Sequence, residues 1–156
     1  MTTEDRPEIT IETLIHAPAG KVWDLWTDPG HIIHWNHASD EWHTPEAEND
    51  LQVGGKFRYR MEARDGSAGF DFSGVYDEVV PRKLISYTID DGRKVRISFS
   101  GNGNKTRVVE TFKADKERSV EIQRNGWQAI LDNFKKYAES AASFETTVVD
   151  NGRISS

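Results

Sequence analysis

Between residues 55 and 113 the chain is apolar at every second position, and short turn signals interrupt the pattern at regular intervals. Phe57, Tyr59 and Met61 alternate with Lys56, Arg58 and Arg60, and Phe70, Phe72, Gly74 and Tyr76 form the next inward set. Ile85, Tyr87 and Ile89 follow, then Val95, Ile97 and Phe99, then a strand over Thr106 to Lys113. Successive side chains of a strand point to opposite faces, so this pattern predicts strands with one buried and one wet face. Asp65-Gly66, Val80-Pro81-Arg82, Asp91-Gly92 and Gly101-Asn102-Gly103-Asn104 are turn sequences. Five consecutive strands joined by short turns make an antiparallel meander, and its apolar face has to be covered.

The cover is legible further on. Trp127, Ile130, Leu131, Phe134, Tyr137 and Ala138 recur at helical spacing and form one apolar stripe. Ser119 is the expected N-cap, and the helix is expected to end near residue 139. Gly126 inside that helix costs about 1 kcal/mol relative to alanine, which predicts a close approach to another element. Ahead of the meander, residues 9–16 read as a strand. Pro18 sits where a helix starts, Val22, Trp23, Leu25 and Trp26 follow at helical spacing, and Asp28-Pro29 ends that helix and opens a shorter one carrying Ile32, Ile33 and Trp35. The predicted class is α+β: a curved antiparallel sheet gripping a long C-terminal helix, with two short helices after the first strand. A twisted sheet wrapped round one helix leaves a gap lined by the bulky aromatics of both. Residues 1–8 are expected to be disordered, 9–140 to form one domain, and 141–156, where the periodicity fades, to be a flexible tail.

Composition narrows the function classes. At 156 residues the chain is one domain with room for a sizeable core. It has no cysteine, so disulfides, thiol catalysis and thiolate metal sites are excluded. A net charge of −6 and an isoelectric point near 5.4 argue against nucleic-acid binding by phosphate neutralisation. Mean hydropathy is −0.69, no apolar run approaches the roughly 18 residues that a membrane helix needs, and Met1 to Glu8 contain no signal-type apolar region. The expectation is a cytoplasmic protein, monomer or homodimer, without membrane insertion.

Several short motifs then carry a resemblance. Ala17-Pro18 with Val22-Trp23, Thr27-Asp28-Pro29, Trp35, Gly54-Gly55-Lys56-Phe57, Asp65-Gly66, Gly74-Val75-Tyr76, Thr106-Arg107-Val108 and Gly126-Trp127 occur in the order found in the START-like (SRPBCC, helix-grip) superfamily. The branch that the chain resembles is the one named after the C-terminal domain of the activator of Hsp90 ATPase, over about residues 9–139. This resemblance implies a cavity between helix and sheet. It also implies a hydrophobic small-molecule ligand such as a lipid, a flavonoid-like compound or a polyketide. A cyclase- or hydrolase-type enzyme on the same scaffold and an Hsp90-type co-chaperone module are the alternatives.

The residues expected to face such a cavity are Trp26, Trp35, Phe57, Tyr59, Phe70, Phe72, Tyr76, Tyr87, Ile97, Phe99, Trp127 and Ile130, with Trp42 and His43 in a segment expected to cap it. Tyr59, Tyr76 and Tyr87 place hydroxyl groups on one face, and buried hydroxyls need partners. Gln123, four residues before Trp127, shares its helix face. Glu110 is the anomaly, because alternation puts its carboxyl group between Val108 and Phe112 on an otherwise apolar face. No inward arginine is evident, so desolvation is expected to raise its pKa. His31, His34, His37 and His43 fall in one window but match no metal-ligand spacing, so no metal is expected, and His43 alone is read as a pocket group. Gly101 to Thr106 lacks the spacing of a phosphate loop and reads as a hairpin. No nucleophile with an adjacent base is readable, and no cofactor is expected.

Overall fold

The computed structural model describes residues 6–155, with side chains described for 6–142. The elements follow in the order β1 (Glu8–Ile15), α1 (Ala19–Thr27), α2 (Pro29–Trp35), β2 (Trp42–Asn49), β3 (Lys56–Ala63), β4 (Gly69–Val80), β5 (Leu84–Ile89), β6 (Lys94–Asn102), β7 (Lys105–Lys113) and α3 (Val120–Ser155). The strands form one seven-stranded antiparallel sheet in the order β1-β7-β6-β5-β4-β3-β2. It curls into a half-barrel around α3, which is the helix-grip arrangement expected from the pattern of elements.

The local signals act as their chemistry requires. Pro29 is the first residue of α2, and the Asp28 carboxylate caps that helix by accepting from the Gly30 N–H at 2.9 Å. Ser119 caps α3 by accepting from the Ile122 N–H at 3.1 Å. Gly66 and Gly92 take positive φ in the two Asp-Gly hairpin turns, where a side chain would be strained.

The strand β2 was not legible. Its sequence Trp-His-Thr-Pro-Glu-Ala-Glu-Asn is polar, contains a proline and does not alternate. The structure places it at the sheet edge, with a register shift between His43 and Glu46 that accommodates Pro45. The expected cap of the cavity is therefore an edge strand. The helix α3 also continues past residue 139. Residues 1–5 of the expected disordered start and the side chains beyond 142 lie outside the described residues, while the backbone of 141–155, expected as a flexible tail, belongs to α3.

The core forms where α1, α2 and α3 meet the concave face of the sheet. Phe134 is fully buried, its ring 4.8 Å from both Trp26 and Trp35, and those two indoles lie 4.9 Å apart. The Trp35 indole N–H donates to the Leu25 carbonyl oxygen at 3.0 Å, which satisfies its buried polar edge. Leu131 and Ala138 are also fully buried, so this side of α3 is the anchored one. The helix packs along β1 and against α1 and α2, and stands off from β3, β4 and β5.

Strand β4 stays close to its neighbours because of Gly74. A Cβ there would lie 2.5 Å from the Thr88 carbonyl oxygen and 3.0 Å from the Phe57 ring. Gly74→Ala is expected to lower stability by roughly 1–3 kcal/mol through overpacking. Urea denaturation checks this, and an unchanged midpoint would show that the sheet absorbs a methyl group at this position.

Candidate ligand-binding cavity

The stand-off between α3 and the sheet is a cavity of about 360 Å³, within the range of ligand sites. Of the residues expected to face it, Trp26, Trp35, Tyr59, Phe70, Phe72, Tyr76, Tyr87, Glu110, Gln123, Trp127 and Ile130 line it. Strands β3, β4, β5 and β7 present one face, α3 the opposite wall, and the two tryptophans of α1 and α2 close one side. Trp127 is stacked flat on Phe112 at 3.8 Å and stands edge-on to Phe72 at 6.1 Å.

Five expected residues lie elsewhere. Phe57 is buried beneath the wall, its ring 5.2 Å from Tyr59, 5.3 Å from Tyr76 and 4.7 Å from Tyr87. It supports the lining rings from behind. Ile97 and Phe99 are also buried below the surface of the cavity, Phe99 edge-on to Trp23 and Trp26. Alternation assigns these residues to the inner face but not to the part of it that α3 leaves uncovered. Trp42 and His43 sit on edge strand β2, where Trp42 meets Phe70 at 6.0 Å and His43 Nε2 lies 3.8 Å from Glu62. By register Trp42 pairs with Ala63 on the inward face and extends the wall behind Phe70 without lining the cavity, whereas His43 pairs with Glu62 on the opposite face.

The lining also includes Asn36, Met61, Ile85, Arg93, Asp115, Arg118, Ile122 and Gly126. Met61 and Ile85 follow the alternation that revealed their neighbours. Arg93, Asp115 and Arg118 arrive from a turn and a loop, whose path no periodicity encodes. Gly126 overturns an expectation: a Cβ at this position would meet nothing within 4 Å. The glycine faces open space, and no packed element explains it.

Most polar groups of the lining are already used. The Tyr76 hydroxyl donates to Asn49 Oδ1 at 2.5 Å and interacts with the Tyr59 hydroxyl, and burial raises both phenol pKa values. Asn36 Nδ2 donates to Thr44 Oγ1 at 3.2 Å. Arg93 Nε donates to Asp91 Oδ2 at 2.7 Å and its Nη1 to the Lys113 carbonyl oxygen at 2.8 Å, while Arg118 Nη1 lies 3.5 Å from Asp115 Oδ2.

Gln123 is engaged more fully than the sequence suggested. Its Oε1 accepts from the Asp115 N–H at 2.7 Å, and its Nε2 donates to the carbonyl oxygens of Asp115 at 3.2 Å and Arg118 at 2.9 Å. The side chain fastens the loop that leads into α3. Gln123→Leu keeps the volume but leaves these backbone groups without partners, so a loss of about 1–3 kcal/mol is expected. Equal stability of the two proteins in chemical denaturation would assign the loop's order to other contacts.

Glu110 remains. It is 6% exposed, and no hydrogen bond or ion pair reaches its carboxyl group among the described residues. Desolvation pushes its pKa up to about 8, so the neutral acid predominates at pH 7. Burial raises the pKa of Tyr87, and the Glu110 charge adds to that shift from across β6. Between the ordinary value of 4.5 and about 8 the folded state holds a proton that the unfolded state has released. Stability is therefore highest below the unfolded value and declines as pH rises through this window. In Glu110→Gln this component is absent, so the variant should gain stability over the wild type as pH rises from 5 to 8, by a few kcal/mol at most. Parallel melts across that range measure it, and a difference independent of pH would mean that Glu110 finds a partner on folding.

The histidine window serves packing between helices. His31 Nδ1 lies 2.6 Å from the Tyr137 hydroxyl, the His34 ring is parallel to Tyr137 at 5.9 Å, and His37 Nε2 is 3.1 Å from Asn133 Nδ2. Among the described residues no three histidine or carboxylate side chains converge as metal ligands would.

A curled seven-stranded sheet that grips a long helix over a partly open cavity defines a helix-grip, START-like scaffold of the ligand-binding type. The chain belongs to the family described as "Activator of Hsp90 ATPase homolog 1-like protein", whose pattern it matches over residues 16–139. It is similar to the solution structure of an AHSA1-like protein from Aeromonas hydrophila, with 45% identity, a TM-score of 0.82 and coverage of 86% of this chain and 94% of that one. It is likewise similar to the solution structure of Chr148 from Cytophaga hutchinsonii, with 51% identity, a TM-score of 0.75 and coverage of 86% and 93%. A protein from Chromobacterium violaceum at 22% identity, with a TM-score of 0.77 and coverage of 85% and 98%, shares the fold. No curated protein matches. Among the described residues no helix is long and apolar enough to cross a membrane.

Proposed function

We propose that this protein binds a small, largely apolar molecule in the cavity between α3 and the sheet. The observation that carries the reading is the open face at Gly126. A helix that served only to cover the sheet would place an apolar side chain there, gaining both packing and helix propensity. Instead α3 is anchored on one side by Leu131, Phe134 and Ala138 and leaves about 360 Å³ beside Gly126, Trp127 and Ile130. The aromatic rings are tied to one another and to Phe57, so the walls are held in place before any ligand arrives.

N-phenyl-1-naphthylamine, an apolar dye, is expected to bind saturably, one per chain, and to quench the fluorescence of the lining tryptophans. Gly126→Leu projects a side chain into the open space, so dye affinity should fall at least tenfold. The melting temperature should stay level or rise, because leucine ranks near alanine as a helix former whereas glycine lies about 0.8–1 kcal/mol below alanine. Undiminished dye binding by a folded Gly126→Leu variant, or no saturable binding by the wild type, would refute the reading.

A further inference from the structure

We infer that the ligand carries a cationic head group, an ammonium or guanidinium, which sits against the Glu110 carboxyl group in the aromatic-lined cavity. This rests on the binding function proposed above and specifies the chemistry of the same cavity. Three observations converge on it. Glu110 is 94% buried, lines the cavity and lacks a protein partner among the described residues, whereas the other polar groups there, the Tyr87 hydroxyl apart, are already engaged. Tyr87 lines the same cavity from β5, in register with Phe112 through Val95, and Trp127 covers Phe112, which is two residues further along the same face of β7. Neither arginine of the lining pairs with the carboxyl group: Arg93 is held by Asp91, and the exposed Arg118 lies 3.5 Å from Asp115.

A carboxyl group differs from an amide or a hydroxyl in its capacity to become an anion. Buried without a counter-cation, it stays protonated until something supplies the positive charge. The negative faces of aromatic rings add to the attraction for a cation, and the apolar walls accept the rest of an amphiphile. A neutral ligand would form one hydrogen bond with the acid. An anionic ligand would meet a site whose only free acidic group is itself a potential anion.

The groups that face Glu110 across the sheet are Ile97 from β6 and Ile11 from β1, both uncharged. Beyond Ile97 the register reaches Ile85 on β5, and Tyr87, Gln123 and Trp127 line the same cavity, Gln123 being already engaged. Desolvation is the sole cause of the carboxyl group's shift, which agrees with the absence of a nearby fixed charge. Seating a cation therefore releases the Glu110 proton to solvent, and amine affinity should rise with pH by up to about tenfold per unit below the carboxyl pKa.

The test uses three probes with one apolar body: 4-phenylbutylamine, 4-phenylbutan-1-ol and 4-phenylbutanoate, titrated by calorimetry in two buffers of different ionisation enthalpy. The amine is expected to bind at least tenfold more tightly than the alcohol, with the carboxylate weakest and with close to one proton released per amine at pH 7. Glu110→Gln should remove the amine's advantage and the proton release together. Equal affinity of amine and alcohol, tightest binding of the carboxylate, or an amine preference that survives in Glu110→Gln would overturn the inference and leave the binding function standing. If none of the three probes binds, both fall.

Discussion

The contact on which the molecule depends is the wedge of Phe134 between Trp26 and Trp35. A helix across a curled sheet has no register of its own, and nothing in a stripe of apolar residues says how far from the strands it should rest. The two tryptophans, held together by α1, α2 and the Trp35 bond to the Leu25 carbonyl oxygen, give the helix a socket at one side. With Leu131 and Ala138 buried beside it, α3 is fixed over β1 and cannot settle onto β3, β4 and β5. The hollow follows from that anchoring.

An unfilled hollow and a buried lone carboxyl group both oppose folding. Removing apolar contacts from a core costs stability in proportion to the volume left empty, and an ionisable group in a low-dielectric site loses its hydration. The remainder of the wall shows how thoroughly this chain satisfies polar groups where it can. Gln123 spends its amide on a loop, Tyr76 finds Asn49, and each arginine of the lining finds an aspartate. Against that background Glu110 and Gly126 stand out together, one a polar group without a partner and the other a helical position without a side chain. Both are explained if the missing partner is a ligand.

Much of the fold was readable because it rests on periodicity. The alternation of Phe57, Tyr59 and Met61, the Asp-Gly turns, the Asp28-Pro29 break and the Ser119 cap each encode local geometry within a few residues, and the structure uses them accordingly. The lining of the cavity was readable to the extent that it inherits this alternation, which is why Tyr59, Tyr76, Tyr87 and Glu110 were identifiable. Phe57, Ile97 and Phe99 show where that logic stops. They share the inward face with the lining residues, and only the position of α3 separates a wall from the layer behind it. Strand β2 was hidden for another reason. An edge strand is held by hydrogen bonds to one neighbour, so its side chains need neither alternate nor be apolar, and Pro45 at a register shift removes the remaining signal.

What the amino-acid order determined by itself is the set of elements, the face each one buries and the presence of one acidic side chain on an apolar surface. These follow from chain periodicity and capping, which act over a few residues. The tertiary structure decided which inward positions remain uncovered, that Gly126 looks into open space and not at a neighbour, and that Gln123 is fully hydrogen-bonded while Glu110 is not. Such outcomes depend on the distance between elements far apart in the chain, here α3 and β3 to β5. That distance is set by how bulky rings near residues 26, 35 and 134 fit together. No local pattern carries information about that fit, and so the site became visible only once the helix was seated.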